Sequence, residues 1–330
     1  MSSKIKAKIS AVGHYLPEYV LTNTELESMV DTNDEWIRTR TGISERRILK
    51  DPEKASAYMA AEAAREILEK QNMDPKEIDA VIVATITPDY MFPATACLTQ
   101  TMIGATNAFA FDLSAACSGF LYALSVGSAM ISSGQRKKVL VIGSDKMSSI
   151  VDFTDRSTCI LFGDASAGVL LEESDDENGI IDEILYSSSE GAEALVQPGG
   201  GSRIPATHES VDQKMHYIKQ DGRSVFKKAA VGMADVSVEI MKKNNLDSED
   251  IAWLVPHQAN LRIIDATASR MNISQDKVMI NIDKYGNTTA ATIPLCLYDW
   301  QNRLKKGDNL ILSAFGGGYT WGAIYLKWSL

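Results

Sequence analysis

Short apolar runs alternate with longer amphipathic ones along the whole chain. Residues 80–85 (AVIVAT), 108–113 (AFAFDL) and 138–143 (KVLVIG) are brief, apolar and rich in Val, Ile or Phe. They read as buried strands of a sheet covered on both faces. Residues 55–70 place Ala, Met, Ile and Leu at helical spacing, and 121–132 reads as a more uniformly apolar, buried helix. Strands alternating with helices indicate an α/β fold.

The pattern also repeats. Residues 61–82 (AEAAREILEKQNMDPKEIDAVI) align without a gap on 234–255 (ADVSVEIMKKNNLDSEDIAWLV), an offset of 173 (234 − 61). Ala61, Glu66, Ile67, Lys70, Asn72, Asp74 and Ile78 each meet their own residue type. One helix–turn–strand unit therefore occurs twice. Each half is expected to continue with a strand running into a helix, from 108 and from 278, and then another strand, from 138 and from 309. Two related halves follow, 1–175 and 176–330, rather than a solenoid of many units. Residues 187–220 break the pattern. They contain Pro198-Gly199-Gly200-Gly201 with His208 and His216, and read as a long surface excursion bordering a ligand site.

Length and composition narrow the class. With 330 residues the chain can bury a large core without a disulfide or metal staple. Hydrophobic residues make up 45% and charged residues 23%, which is ordinary for a globular protein. The formal charge of −10 argues against a broadly basic nucleic-acid surface. The N-terminal MSSKIKAKISAVG lacks the apolar core of an export signal, and no run is long enough for a membrane span. Cys97, Cys117, Cys159 and Cys296 form no C-x-x-C pair, so the chain reads as cytoplasmic with reduced thiols.

Four segments could carry chemistry. Cys117, in DLSAACSG (112–119), stands where an apolar strand gives way to a helix. The positive end of a helix dipole lowers a thiol pKa there, although a small buried core residue has the same pattern. Cys97, Cys159 and Cys296 lie inside apolar patterns and read as packing residues. His257 follows the strand Trp253-Leu254-Val255-Pro256 and is either a structural histidine or the partner a cysteine nucleophile needs. His14 reads as structural. Asn287, in YGNTTAA (285–291), follows an expected strand over 278–283; it either caps a helix or offers a fixed uncharged donor to an oxyanion. Gly316-Gly317-Gly318 is a tight turn or a place where backbone N–H groups approach a ligand. No phosphate-loop signature is present, so nucleotide triphosphate chemistry lacks support. Cys, His and Asn thus fall after strands in both halves, where ligand sites of α/β folds lie.

Read together, these segments resemble the β-ketoacyl-acyl carrier protein synthase III enzymes of fatty-acid biosynthesis, within the thiolase-like superfamily. The likeness runs from Ile9 to the C-terminal glycine motif. It is carried by DTNDEWIRTRTGISERR (31–47), TPDYMFPATAC (87–97), DLSAACSGF (112–120), TDRSTCILFGDASAG (154–168), VPHQANLRI (255–263), YGNTTAA (285–291) and FGGGYTWG (315–322). The resemblance implies a duplicated, five-layered αβαβα thiolase-like fold with two pseudo-symmetric halves, and a homodimer. It implies a catalytic triad of Cys117, His257 and Asn287, with an oxyanion hole from the N–H groups of Cys117 and Gly317. Acyl-CoA would acylate Cys117, and malonyl-acyl carrier protein would then condense with loss of CO2, with no metal and no cofactor.

The resemblance also places Trp36 and Arg156 against the adenine of CoA, Arg40 near its phosphates, and Gly222 and Phe226 along the pantetheine tunnel. It places Phe92, from the partner subunit, and Phe315 at the acyl pocket, and Lys227 and Arg262 against the carrier protein. Two departures stand out. The 187–220 segment is longer than in familiar relatives, so the primer does not carry over. Arg223 replaces a neutral amide. An acidic enzyme serving an acidic carrier must concentrate positive charge locally, with Arg40, Arg156, Arg223, Lys227, Lys228 and Arg262 as the candidates. The alternatives are a synthase-III-like acyltransferase or condensing enzyme of specialised metabolism, and a non-catalytic subunit, which would ordinarily lack the nucleophile.

Overall fold

A computed structural model describes residues 6–330. The first five residues, part of the N-terminal stretch discussed above, lie outside it. Two sheets organise the chain. The first runs in the order Ala7–Tyr15, Ala165–Glu173, Lys138–Asp145, Ala80–Ala84, Phe109–Leu113. Its last three strands are mutually parallel, and Ala165–Glu173 is antiparallel to both neighbours. The second runs Gly179–Ser187, Thr320–Lys327, Asn309–Gly316, Trp253–Pro256. Its final pair is parallel and the others antiparallel. Strand for strand, the two sheets share one order. Where the first has its edge strand, the second has a single bridge between Leu254 and Val278.

Three apolar clusters define the layers. Helices Ser56–Gln71 and Thr95–Ile103 cover one face of the first sheet, around Ala64, Ile67, Val81 and Leu140. Helices Gly222–Lys243 and Leu261–Met271 cover the outer face of the second, around Val236, Ile240, Ile264 and Ile311. Between the sheets lie Gly119–Ser132 and Thr292–Trp300, whose cluster draws Val141 and Val169 from one sheet and Leu312 and Ile324 from the other. This is the expected helix–sheet–helix–sheet–helix stack. The apolar character of 121–132 follows, because a helix packed on both sides has no face left for polar residues.

The internal repeat has a backbone counterpart. Asn72 and Asn245, 173 positions apart, both end their helix turn in the left-handed region, at φ 48 and φ 54. At the same offset, Ala116 has φ 47 and Thr289 has φ 51. Each of these opens a 3-10 turn, Ala116–Ser118 and Thr289–Ala291, that leads into a central helix.

Three expectations need correction. The strand over 278–283 does not form. Beyond Val278 only Met279 N–H bonds to the neighbouring strand, at Leu254 O; Asn281 N–H goes instead to the Gln258 side chain, and the chain turns into the helix Ile282–Tyr285. Side chains there supply what a sheet ladder would have supplied. Phe109–Leu113 is not fully buried: Ala110 packs against the outer cluster and Phe111 and Leu113 against the central one, but it is an edge strand of half-buried residues with Phe109 exposed. The 187–220 segment is more than a loop. It contains the helix His208–Asp212 and a short ribbon pairing Leu195–Val196 with Lys219–Gln220.

Candidate active site

The strand Phe109–Leu113 and the helix Gly119–Ser132 are joined by the 3-10 turn that holds Cys117. The glycine hairpin clasps this turn. Ser118 Oγ donates to Thr320 O at 2.8 Å, and Thr320 Oγ1 donates to Ala115 O at 2.8 Å. A Cβ at Gly316 would lie 2.8 Å from Cys117 N, so glycine is needed for this approach. The glycine motif is thus both readings at once, a tight turn between strands and a close backbone approach. Cys117 is 6% exposed.

His257 follows Trp253–Pro256, and its N–H donates to Ser313 O at 2.8 Å on the adjacent strand. Its Nδ1 pairs with Thr292 Oγ1 at 2.7 Å, whereas the buried Nε2 has no protein partner. Burial holds the imidazole down to about 3, so it is neutral. The backbone of Asn287 is strapped to the 161–163 segment, donating to Leu161 O at 2.8 Å and accepting from Gly163 N at 3.1 Å. Its Oδ1 accepts from Thr289 N–H at 2.9 Å, and its amide reaches the Cys117 sulfur.

Cys117 behaves differently from the local expectation. Burial pushes the thiol up to about 12, and the Asp145 carboxylate pushes the same way. The N–H groups of Cys117 and Gly317 and the Asn287 side chain act in the opposite direction without prevailing. The helix-end argument considered only the chain near Cys117. Burial beneath the second half of the molecule, and the buried carboxylate, reverse the sign.

Two cavities meet at Cys117. One, of about 190 Å³, is lined by Cys117, His257 and Asn287, by Gly222, Phe226 and Phe315, and by Ser157 and Asn260 towards the surface. The other, of about 200 Å³, lies beyond the thiol among Ile86, Met147, Ile150, Val196, Ile218 and Gly317. Cys117, Phe162 and Leu195 border both. The ring of Phe315 stands against Gly232 and Tyr319 and lines the first cavity.

The remaining residues lie outside the cavities. The Arg156 guanidinium rests 5.1 Å from the Trp36 ring centroid and donates to Asp31 O at 2.9 Å; Arg40 is 5.9 Å from the same ring. Arg262 covers the Phe226 ring at 5.3 Å, beside the first cavity, and Lys227 and Arg223 are exposed on the same helix as Phe226. Lys228 is already paired with Glu190 at 3.2 Å. Phe92 is 86% exposed and lines neither cavity. His14 bonds Glu66 at 2.9 Å and stacks on Tyr298, as a structural histidine does. Cys159 and Cys296 are buried and Cys97 half-buried.

The excursion 187–220 does border a cavity, through Leu195, Val196, Gln197 and Ile218, but sequence reasoning missed Ile86 and the 147–150 segment on the other side of it. It also missed Thr292, Thr289 and Asp145. Three threonines soon after Asn287, at 288, 289 and 292, were the one hint. Among the described residues, no group of His, Cys, Asp and Glu is arranged to hold a metal ion, and no helix is long and apolar enough to cross a membrane.

Comparison with known proteins agrees with this geometry. Residues 111–189 match the family described as 3-Oxoacyl-[acyl-carrier-protein (ACP)] synthase III, and 241–328 match that family's C-terminal description. The chain is 61% identical over 328 residues to the β-ketoacyl-[acyl-carrier-protein] synthase III of Chlorobium chlorochromatii, covering 98% of this chain and 100% of that protein. It is 54% identical over 327 residues to the protein of the same name from Porphyromonas gingivalis, with 99% and 98% covered. The crystal structure of 3-oxoacyl-[acyl-carrier-protein] synthase III from Aquifex aeolicus superposes with a TM-score of 0.89 at 45% identity, covering 98% of this chain and 100% of that one. Likeness of this extent, end to end, means that the chain belongs to the β-ketoacyl-[acyl-carrier-protein] synthase III family.

Proposed function

We propose that Cys117 is the nucleophile of a decarboxylative Claisen condensation that starts fatty-acid biosynthesis from an acyl-CoA primer and malonyl-acyl carrier protein. One observation carries the assignment: the sulfur of Cys117, the amide of Asn287 and the unpartnered Nε2 of His257 face one buried cavity. Sγ attacks the thioester carbonyl of the primer, the bond from that carbon to the CoA sulfur breaks, and the thiol proton passes to the departing sulfur, so CoA leaves as its free thiol. The N–H groups of Cys117 and Gly317, which already address the sulfur, receive the oxyanion. Malonyl-acyl carrier protein then loses CO2. His257 Nε2 and Asn287 Nδ2 donate to its thioester oxygen and stabilise the enolate, each such donor being worth ~3 kcal/mol in a dry site. The enolate carbon attacks the acyl group, and the Cys117 sulfur leaves. Acyl-CoA is thus a substrate and not a cofactor.

In this reading the halves 1–175 and 176–330 divide the machinery, with Cys117 in one and His257 and Asn287 in the other. The 190 Å³ cavity suits the pantetheine arm, with Gly222 and Phe226 along it. Trp36, Arg40 and Arg156 take the adenine and phosphates; because Arg156 already lies over Trp36, guanidinium and indole must part for the base to enter. The acyl chain occupies the apolar cavity beyond the thiol, with Phe315 and the partner's Phe92 near its ends. Arg262 and Lys227, exposed near the mouth, meet the acidic carrier. A homodimer is supported by the uncovered edge strand Phe109–Leu113 and by the exposed side chains of Tyr90, Met91 and Phe92. A nucleophilic thiol that must stay reduced suits a cytoplasmic setting.

Mass spectrometry after mixing with acetyl-, propionyl-, branched and longer acyl-CoA in turn is the test. An acyl adduct from at least one of them is expected on Cys117, absent from Cys117→Ala and retained in Asn287→Ala, which should fail at decarboxylation. Lack of the adduct with every primer, or normal condensation by Cys117→Ala, refutes the assignment.

A further inference from the structure

Two groups beside the cavity have no part in the chemistry above, and they touch. Asp145 ends the strand Lys138–Asp145 and is fully buried. Thr289 lies two residues beyond Asn287 with φ 51, a conformation that a β-branched residue adopts only where its surroundings impose it. The Thr289 hydroxyl donates to Asp145 Oδ2. The other carboxylate oxygen, Oδ1, accepts from Ile86 N at 2.8 Å, Thr87 N at 3.1 Å, Thr85 Oγ1 at 3.0 Å and Thr87 Oγ1 at 2.9 Å. The carboxylate is therefore fixed by the segment after strand Ala80–Ala84, and it fixes Thr289 in turn.

From Thr289 one hydrogen bond leads to a proposed donor. Its N–H donates to Asn287 Oδ1 at 2.9 Å. That determines which end of the amide is held back, leaving the Nδ2 end for the Cys117 sulfur. Its carbonyl lies 3.0 Å from Thr292 Oγ1, and Thr292 Oγ1 lies 2.7 Å from His257 Nδ1; the donor role of Nε2 requires the single hydroxyl proton to go to Nδ1.

We propose that Thr289, pinned by Asp145, is a positioning residue that sets the amide orientation of Asn287. This rests on the role given above to Asn287. The pin joins the two halves, since Asp145 ends a strand of the first sheet and Thr289 opens the turn that leads into the helix Thr292–Trp300. Burial pushes Asp145 itself up, while the hydroxyl and amide donors of Thr289, Ile86, Thr87 and Thr85 pull the other way. Around Cys117 the titratable groups are Asp145 and the neutral His257.

The test compares Thr289→Val, Thr289→Ser and Asp145→Asn with the unaltered enzyme. Two rates are read: decarboxylation of malonyl-acyl carrier protein, and alkylation of Cys117 by iodoacetamide against pH. Thr289→Val should slow decarboxylation by ~10²-fold, the scale of a 1 Å misplacement, and Thr289→Ser should restore most of it. Asp145→Asn should slow decarboxylation and yet move the alkylation midpoint to lower pH. A merely structural role would not produce that shift. Unchanged decarboxylation in Thr289→Val, or equal losses in the Val and Ser variants, overturns the proposal. Failure of the functional reading looks different, because the unaltered enzyme would then form no acyl-Cys117.

Discussion

Gly316→Ala should separate the two halves of the oxyanion hole while leaving every catalytic side chain in place. The added methyl would sit 2.8 Å from Cys117 N, 3.0 Å from Ser118 N and 3.1 Å from Ala115 O. All three are backbone atoms, so no side chain can swing aside. Ordinary contact begins at 3.4 Å, and the hairpin must therefore retreat by about 0.6 Å (3.4 − 2.8) from the Cys117 turn. Gly317 N–H moves with the hairpin and Cys117 N–H stays with the turn, so the donors diverge. Loss of one oxyanion donor costs ~10²–10³ in rate, and a shift of this size should cost part of that, ~10-fold or more in acyl transfer from acyl-CoA. Overpacking costs ~1–3 kcal/mol of stability as well. Stopped-flow acylation of Cys117 and thermal denaturation measure the two effects separately. Acylation at the unaltered rate, in a variant with a lowered melting temperature, would refute the reasoning: the hairpin would then have moved without its N–H mattering.

Further outcomes follow from charge and burial. Because burial lowers His257 to about 3, its imidazole stays neutral well below an ordinary histidine range. The pH profile of kcat/KM for acyl-CoA should show no limb near pH 6–7, where an unperturbed histidine titrates; such a limb, lost in His257→Gln, would contradict this. Glu66 lies low, at about 2: burial would raise it, but bonds from His14, Tyr298 and Lys70 prevail. A depressed carboxylate adds stability above its unfolded pKa and loses it as pH falls towards 2, so Glu66→Gln should narrow the stability gap between pH 7 and pH 3. An unchanged gap in urea titrations at the two pH values would count against it. Arg262→Ala should raise the KM for carrier protein more than that for acyl-CoA, and salt should do the same. Equal changes for both substrates would exclude a docking role.

The elements were legible where local pattern and tertiary demand agree. Apolar runs 80–85 and 138–143 became strands because a sheet covered on both faces wants such residues. The repeat was legible because Asn72 and Asn245 solve the same turn problem with the same residue. Residues 278–283 misled because side chains from Gln258 and elsewhere replaced the ladder that a strand would need. The site was legible only in part. Cys117, His257 and Asn287 each had an equally good structural reading, and the family likeness decided between them. The sign of the thiol shift depends on burial and on Asp145, and the second cavity is built from segments some 70 residues apart. Neither leaves a trace in spacing.

The two left-handed turns, at Ala116 and Thr289, have one more consequence. At their common offset of 173 (289 − 116), Cys117 corresponds to Ala290. The molecule therefore owns two equivalent elbows and arms only one. In the second, Ala290 packs its backbone against Gly143, where even a Cβ on that glycine would come within 2.4 Å of its carbonyl oxygen. Freed from supplying a nucleophile, that elbow became a buttress: its first residue braces Asn287, and its side chains fill the seam between the sheets. In the proposed reaction the duplication yields a division of labour, in which one copy does the bond-making and the other holds the geometry.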